Sequence, residues 1–225
     1  MTFSITARCP RTGMFGIAIT TSSICVGSRC VWARAHVGAI ATQNITDPRL
    51  GSLGLDLMAR GFGAESTLEQ LVRAGPYPEY RQIAVVDSWG GVAHHSGAKT
   101  LGLHNVATAT GCVAAGNLFK SKDIPRAMVE GFGAKPDAHL AERLLSGLEA
   151  GLAAGGEVGP VRSAGLYVVD QVPWPICDLR VDWHEAPVAK LRRIWTLYRP
   201  QMPEYLTRAL DPRSAPAYGV AGETR

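Results

Sequence analysis

From the second residue onward the chain alternates apolar and polar side chains. Phe3 and Ile5 are interleaved with Ser4 and Thr6, the period-two pattern of a half-buried strand over residues 2–7. The turn-forming sequence Pro10-Arg11-Thr12-Gly13 follows, and residues 14–21 (MFGIAITT) resume a β-rich run, so the chain is expected to open with a hairpin. A second β pair is expected over 23–34 and 36–43, the latter (HVGAIATQ) a short run of small apolar residues that suits a buried strand. The period then changes. Leu53, Leu57 and Met58 share one helical face up to Gly61 and Gly63, and Leu68, Leu71 and Val72 mark a second helix. Ser66, with Glu69 three residues on, reads as a capping box for that helix, and Gly75-Pro76 as its stop.

Strand patterns return at 80–87 and 92–96 around a turn at 88–91, and again at 105–115. Asp123 with Pro125 begins a third helix, and Asp137 precedes the stripe Leu140, Leu144, Leu148 and Leu152, which ends at Gly155-Gly156. Residues 163–170 and 176–183 read as paired strands, and Val188, Leu191, Ile194, Trp195 and Tyr198 give a last helix before Pro200. Strands and helices come in segregated runs, which indicates an α+β fold rather than alternating βαβ units. Residues 1–210 are expected to form one domain and 211–225 a loosely ordered tail.

The composition, 46% hydrophobic and 19% charged over 225 residues, is that of a globular chain with its own core. No apolar run approaches the roughly 18 residues needed to span a bilayer, and the start shows neither the basic nor the apolar region of a signal peptide. A cytoplasmic location away from membranes is therefore expected. The net charge of +4 is spread thinly, its densest group being Lys190, Arg192 and Arg193. Without a helix-turn-helix, zinc-finger or RNP pattern, nucleic acid is not an expected partner. Cys9, Cys25, Cys30, Cys112 and Cys177 are odd in number and lack CxxC spacing, so they read as reduced, mostly buried thiols. Apolar Trp195 and Tyr198 on the last helix, taken as exposed, point to a homodimer or higher homo-oligomer.

The first chemistry-bearing feature is Thr2. A small second residue permits removal of Met1, which would place a free amine beside the Thr2 hydroxyl. With an ordinary pKa near 7.7 to 8.0, that amine can take the hydroxyl proton without a separate histidine. Asp182 and His184, two apart, would share one face of a strand and are candidates for two ligands of a Zn²⁺ or Mn²⁺ site, although no HExxH accompanies them. The alternative there is an Arg180/Asp182 ion pair. No cofactor is expected: residues 111–117 (GCVAAGN) lack GxGxxG and the P-loop Lys-Ser/Thr pair, and no GxSxG elbow occurs.

The segments TFSITARCPRTGMFGIAI, VGSRCVWARAHVGAIATQN, EYRQIAVVD, AAGN, EAGLAAGG and LRVDWHEAPVAKLRRI follow in unbroken order between Thr2 and Tyr198. Together they resemble the bacterial family called domain of unknown function 1028. The resemblance implies an Ntn-hydrolase-like fold, a four-layer αββα sandwich of two stacked antiparallel sheets between helical layers. It matches Thr2 to the position of an N-terminal nucleophile and implies hydrolysis of a C–N amide-type bond, other than a peptide bond, in a small polar or anionic substrate. Gln43-Asn44 and Gly116-Asn117, at the ends of β runs, are then candidate oxyanion donors. Arg34 is a candidate to lower the amine pKa and orient a substrate carboxylate. The alternatives are a catalytically silent binding or assembly subunit of the same fold and a metal-dependent hydrolase using Asp182 and His184.

Overall fold

The computed structural model of the chain describes residues 2–221. Among them the order is β1 (Thr2–Arg8), β2 (Phe15–Thr21), β3 (Val31–Arg34), β4 (Gly38–Asn44), α1 (Arg49–Ala59), α2 (Ala64–Ala74), β5 (Arg81–Asp87), β6 (Val92–Ser96), β7 (Asn105–Ala109), β8 (Cys112–Asn117), α3 (Ile124–Gly133), α4 (Leu140–Ala153), β9 (Ser163–Val169), β10 (Pro175–Val181), α5 (Pro187–Tyr198) and α6 (Met202–Leu210). Six strands form one sheet in the order β10-β9-β2-β1-β8-β7, and four form another in the order β3-β4-β5-β6. Every pairing is antiparallel.

Three apolar clusters stack these elements into four layers. Phe3, Ile5 and Ala7 of β1 meet Met128 and Phe132 of α3, Leu144 and Leu148 of α4, and Leu191 and Trp195 of α5 on the outer face of the larger sheet. Ile40, Ile83 and Val85 of the smaller sheet meet Leu50, Leu55 and Met58 of α1 and Leu71 of α2. Between the sheets lie Phe15, Ile17, Ile19, Ala39, Ala41, Ala84, Val86 and Val113. The expected α+β, αββα sandwich is therefore present. Helix α5 is also fastened by polar contacts: the Trp195 indole N–H donates to Glu142 at 2.8 Å, and Arg192 reaches Glu142 and Glu149 of α4 at 2.7 Å. Trp195 is 1% exposed and Tyr198 only partly so, which removes the exposure on which the expectation of an oligomer rested.

β1 differs from the half-buried strand its alternation suggests. It is a central strand, both faces are covered, and Ser4 and Thr6 are as buried as Phe3 and Ile5. The 105–115 run is a hairpin, broken by Gly111 at φ 63°, and the 23–34 run is a strand only at β3, preceded by a 3₁₀ turn at Val26–Ser28. Helix α2 starts at Ala64, earlier than the Ser66 capping box predicts. Its first N–H is taken by the Asp87 carboxylate at 2.8 Å, while the Ser66 hydroxyl donates to the Gly63 carbonyl. At α4 the cap is His139, whose Nδ1 accepts from the Ala141 N–H, whereas Asp137 faces Arg11. Burial holds the His139 pKa below its ordinary value, which keeps that nitrogen an acceptor. Helix α6, unforeseen, has Pro203 in its first turn, where a missing N–H costs nothing. Residues 211–221 carry no helix or strand, yet Arg208 donates to the Pro216 carbonyl and lies over the Tyr218 ring. Residues 222–225 of the expected tail lie outside the described residues.

Gly116 shows how close the first strand is to its neighbours. A Cβ at this position would overlap the Phe119 ring and the Phe3 Cβ. Gly116→Ala is expected to destabilise the fold by about 1–3 kcal/mol through overpacking, read as a lowered denaturation midpoint with unchanged slope.

Candidate functional site at the head of the first strand

The layer between the sheets changes character along its length. On the inner face of β4 the sequence Ala39, Ala41, Gln43 runs from apolar to polar, and on β5 Val86, Ala84, Gln82 does the same toward the same end. β2 ends there in Thr21, β8 in Asn117, and β1 begins there with Thr2. Two-residue alternation places these side chains on inner faces, so five strands deliver their polar termini to one spot.

Hydrogen bonds join them. The Ser4 hydroxyl donates to Gln43 Oε1 at 2.7 Å, and Gln43 Nε2 donates to Gln82 Oε1 at 2.8 Å. Asn117 Nδ2 donates to the same Gln82 oxygen at 3.0 Å, and Gln82 Nε2 donates to the Ser96 hydroxyl and the Gly116 carbonyl at 3.0 and 3.1 Å. The Thr2 backbone N–H donates to Asn117 Oδ1 at 3.2 Å. Thr2 Oγ1 lies 3.1 Å from Thr21 Oγ1, itself 3.3 Å from the Ser23 hydroxyl. Thr2 is 6% exposed, and Gln43, Gln82 and Asn117 are 2% or less. Each buried amide thus has partners, which is what makes such a layer tolerable away from water.

Four of the candidate residues named from sequence, Thr2, Gln43, Gly116 and Asn117, therefore meet. The others do not. Arg34 is on the surface, its guanidinium 2.8 Å from Asp56, with both side chains about half exposed (46% and 54%). Asn44 ties two loops together, donating to the Tyr80 carbonyl and accepting from the Leu101 N–H. Asp182 and His184 lie beyond the end of β10 and not on one strand face. His184 Nδ1 accepts from the Ala186 N–H, and Arg180 pairs with Asp178 rather than Asp182. Among the described residues no three His, Cys, Asp or Glu side chains converge as metal ligands. Burial pushes the Cys30 thiol up to about 11 and the Cys112 thiol to about 12, so both stay protonated. No helix of the described residues is long and apolar enough to cross a membrane. The expected loss of Met1 concerns a residue outside those described.

Sequence reading passed over Glu157. It follows Gly155-Gly156 in a segment with the composition of a surface loop, yet it is 2% exposed and pairs as an isolated β-bridge with Phe119. Neither carboxylate oxygen has a hydrogen-bond partner of good geometry among the described residues. Burial pushes its pKa up to about 8, with the positive charge at the chain's amino end and the Ser22 N–H pulling it back only partly.

A buried polar cluster at the head of a central strand, between the stacked sheets of an αββα sandwich, is the architecture to which comparison attaches a lineage. The chain belongs to the family of unknown function DUF1028, whose model matches residues 2–191. The crystal structure of a Silicibacter pomeroyi protein of that family shares 29% identity with a TM-score of 0.81, covering 88% of each chain. Structures of Anbu (ancestral beta-subunit) from Yersinia bercovieri and of an Anbu (Gly-1) mutant from Hyphomicrobium sp. strain MC1 share 9% and 11% identity. They cover 97% and 98% of this chain and 100% of theirs, at TM-scores of 0.37 and 0.40, too low to carry any argument. No curated protein matches.

Two outcomes follow from this geometry. Gln82→Leu removes the group that holds both amides and is expected to cost roughly 3 kcal/mol or more, since each stranded buried partner costs about 1–3 kcal/mol; urea unfolding reads it. Glu157 gives a pH signature. Its folded pKa, about 8, exceeds the ordinary 4.5, so the unfolded chain sheds its proton first. Its contribution therefore becomes less favourable as pH rises from about 4.5 to about 8, by on the order of a few kcal/mol. Glu157→Gln should match the wild type in stability at pH 4 and exceed it at pH 9.

Proposed function

We infer that the protein is an N-terminal-nucleophile hydrolase acting on a C–N amide-type bond of a small polar substrate. The observation that carries the reading is the placement of Thr2. Its nitrogen and hydroxyl both lie within the polar end of the inter-sheet layer, one held by Asn117 and the other beside Thr21. With Met1 removed, the Thr2 nitrogen becomes a free α-amine adjacent to its own hydroxyl. The amine takes the Oγ1 proton as Oγ1 attacks the amide carbon, the C–N bond breaks as the departing nitrogen is protonated, and, once the amine is again neutral, water hydrolyses the Thr2 ester with that amine as base. The Asn117 amide, anchored through Gln82, supplies an N–H toward the developing oxyanion. Arg34, engaged by Asp56, has no part in this reading, and with it goes the ground for an anionic substrate.

Thr2→Ala should reduce amide turnover by several orders of magnitude, as for other covalent nucleophiles, while the lost hydroxyl contact costs about 1 kcal/mol of stability. Thr2→Ser keeps the hydroxyl and should retain part of the activity. The measurements are hydrolysis of a panel of small amides and ureido compounds, with intact mass to establish removal of Met1. Full activity in Thr2→Ala, or an active protein that still carries Met1, would overturn the Thr2 mechanism, and a wild type inert to the whole panel would favour a binding or assembly role for this fold.

A further inference from the structure

β2 and β8 flank β1 and run antiparallel to it, so both continue past the point where β1 begins. Past β2 comes Ser22, whose backbone N–H acts on the Glu157 carboxylate. Past β8 comes Phe119, which bridges to Glu157. Thr2 is paired with Thr21 on one side and Asn117 on the other. A residue that touches both continuations lies over the head of β1. Glu157 is that residue, and it brings a carboxyl group buried to 2% exposure with no hydrogen bond of good geometry among the described residues. A cavity of about 290 Å³ is lined in part by Glu157, Lys120, Leu152 and Glu185.

We propose that Glu157 is the proton donor to the leaving nitrogen of the substrate, completing a relay with the Thr2 α-amine; this rests on the Thr2 reading above. The protons balance. The Thr2 hydroxyl proton passes to the α-amine, giving an ammonium, while Oγ1 bonds to the carbonyl carbon. As the C–N bond breaks, the Glu157 carboxyl protonates the departing nitrogen and becomes a carboxylate. The ammonium then returns its proton to that carboxylate, and the site regains a neutral amine and a neutral acid. A carboxyl held neutral near pH 7 by burial is suited to such donation. The charged groups that face it are the chain's amino end and, around the cavity, Lys120 and Glu185.

A matched pair of acetyl donors separates this role from the nucleophile's. p-Nitrophenyl acetate loses p-nitrophenolate without needing a proton, whereas 4-nitroacetanilide cannot release its nitrogen unprotonated. Glu157→Gln should be acetylated on Thr2 by the ester at the wild-type rate, followed by intact mass, but should cleave the anilide roughly 10²-fold more slowly. In the wild type the anilide-to-ester rate ratio should fall as pH rises through about 8, and in Glu157→Gln it should be flat. The wild-type pH profile alone decides the matter if the variant does not fold. Equal losses on both substrates, no loss on either, a pH-independent wild-type ratio, or a wild type acetylated by the ester yet inert to the anilide would each overturn the proposal while Thr2 stands. Failure of the ester to acetylate Thr2 in the wild type would remove the nucleophile reading and this one with it.

Discussion

The Gln82 carboxamide is the contact on which the polar end of the molecule depends. It accepts from Gln43 within its own sheet and from Asn117 in the facing sheet, and it donates to Ser96 and to the Gly116 carbonyl. Elsewhere the sheets meet through Ile, Val, Phe and Ala, which fit together without regard to direction. Hydrogen bonds are directional, so the amide layer fixes the lateral offset of one sheet on the other in a way the apolar part cannot. Asn117 in turn orients the Thr2 nitrogen. The position of the first residue of β1 is thus set by a chain of amides that reaches back to the opposite sheet.

The same layer shows how polarity can be buried at tolerable cost. Gln43, Gln82 and Asn117 are neutral, and each oxygen and nitrogen has a partner within ordinary distance, so desolvation is offset bond by bond. Glu157 is the exception. An ionised carboxylate without partners would be far more costly, and the group responds by keeping its proton. An acid buried without a well-formed hydrogen bond is a local inconsistency, because packing alone would favour an apolar side chain there.

Much of the architecture could be read from the sequence because period-two and helical periodicities depend on neighbours a few residues away. Phe3 and Ile5, the 36–43 run and the Leu140, Leu144 and Leu148 stripe all lie where their spacing puts them. The misses share a cause: each turns on a partner distant in sequence or on context at a proline. Ser66 resembles a cap, but Asp87, 23 residues away, supplies the bond. Pro200 looked like a terminator, yet Pro203 opens α6. Arg34 was assigned to the site for its charge, and Asp56 across a helix face claims it. Thr2, Gln43 and Asn117 were legible as polar residues at strand ends. That Gln82 joins them was not, since nothing local distinguishes one strand glutamine from another. Glu157, after two glycines, looked like a solvated loop residue because the strand extensions that enclose it are 38 and 135 residues away in the chain.

Among the described residues no side-chain cation joins the Thr2 cluster, which bears on how such a site would work. A nearby Lys or Arg would depress the amine pKa by repulsion, and among the described residues the cluster holds only hydroxyls and carboxamides, with Arg34 paired to Asp56 on the surface. What remains to keep an α-amine neutral is desolvation, which acts in the same direction for an amine as it does for a carboxyl: both are pushed toward their uncharged forms. A buried amine and a buried carboxyl side by side therefore favour the neutral pair over the ion pair when neither is well solvated, the reverse of their order in water. In that state one group is a base and the other an acid at the same pH.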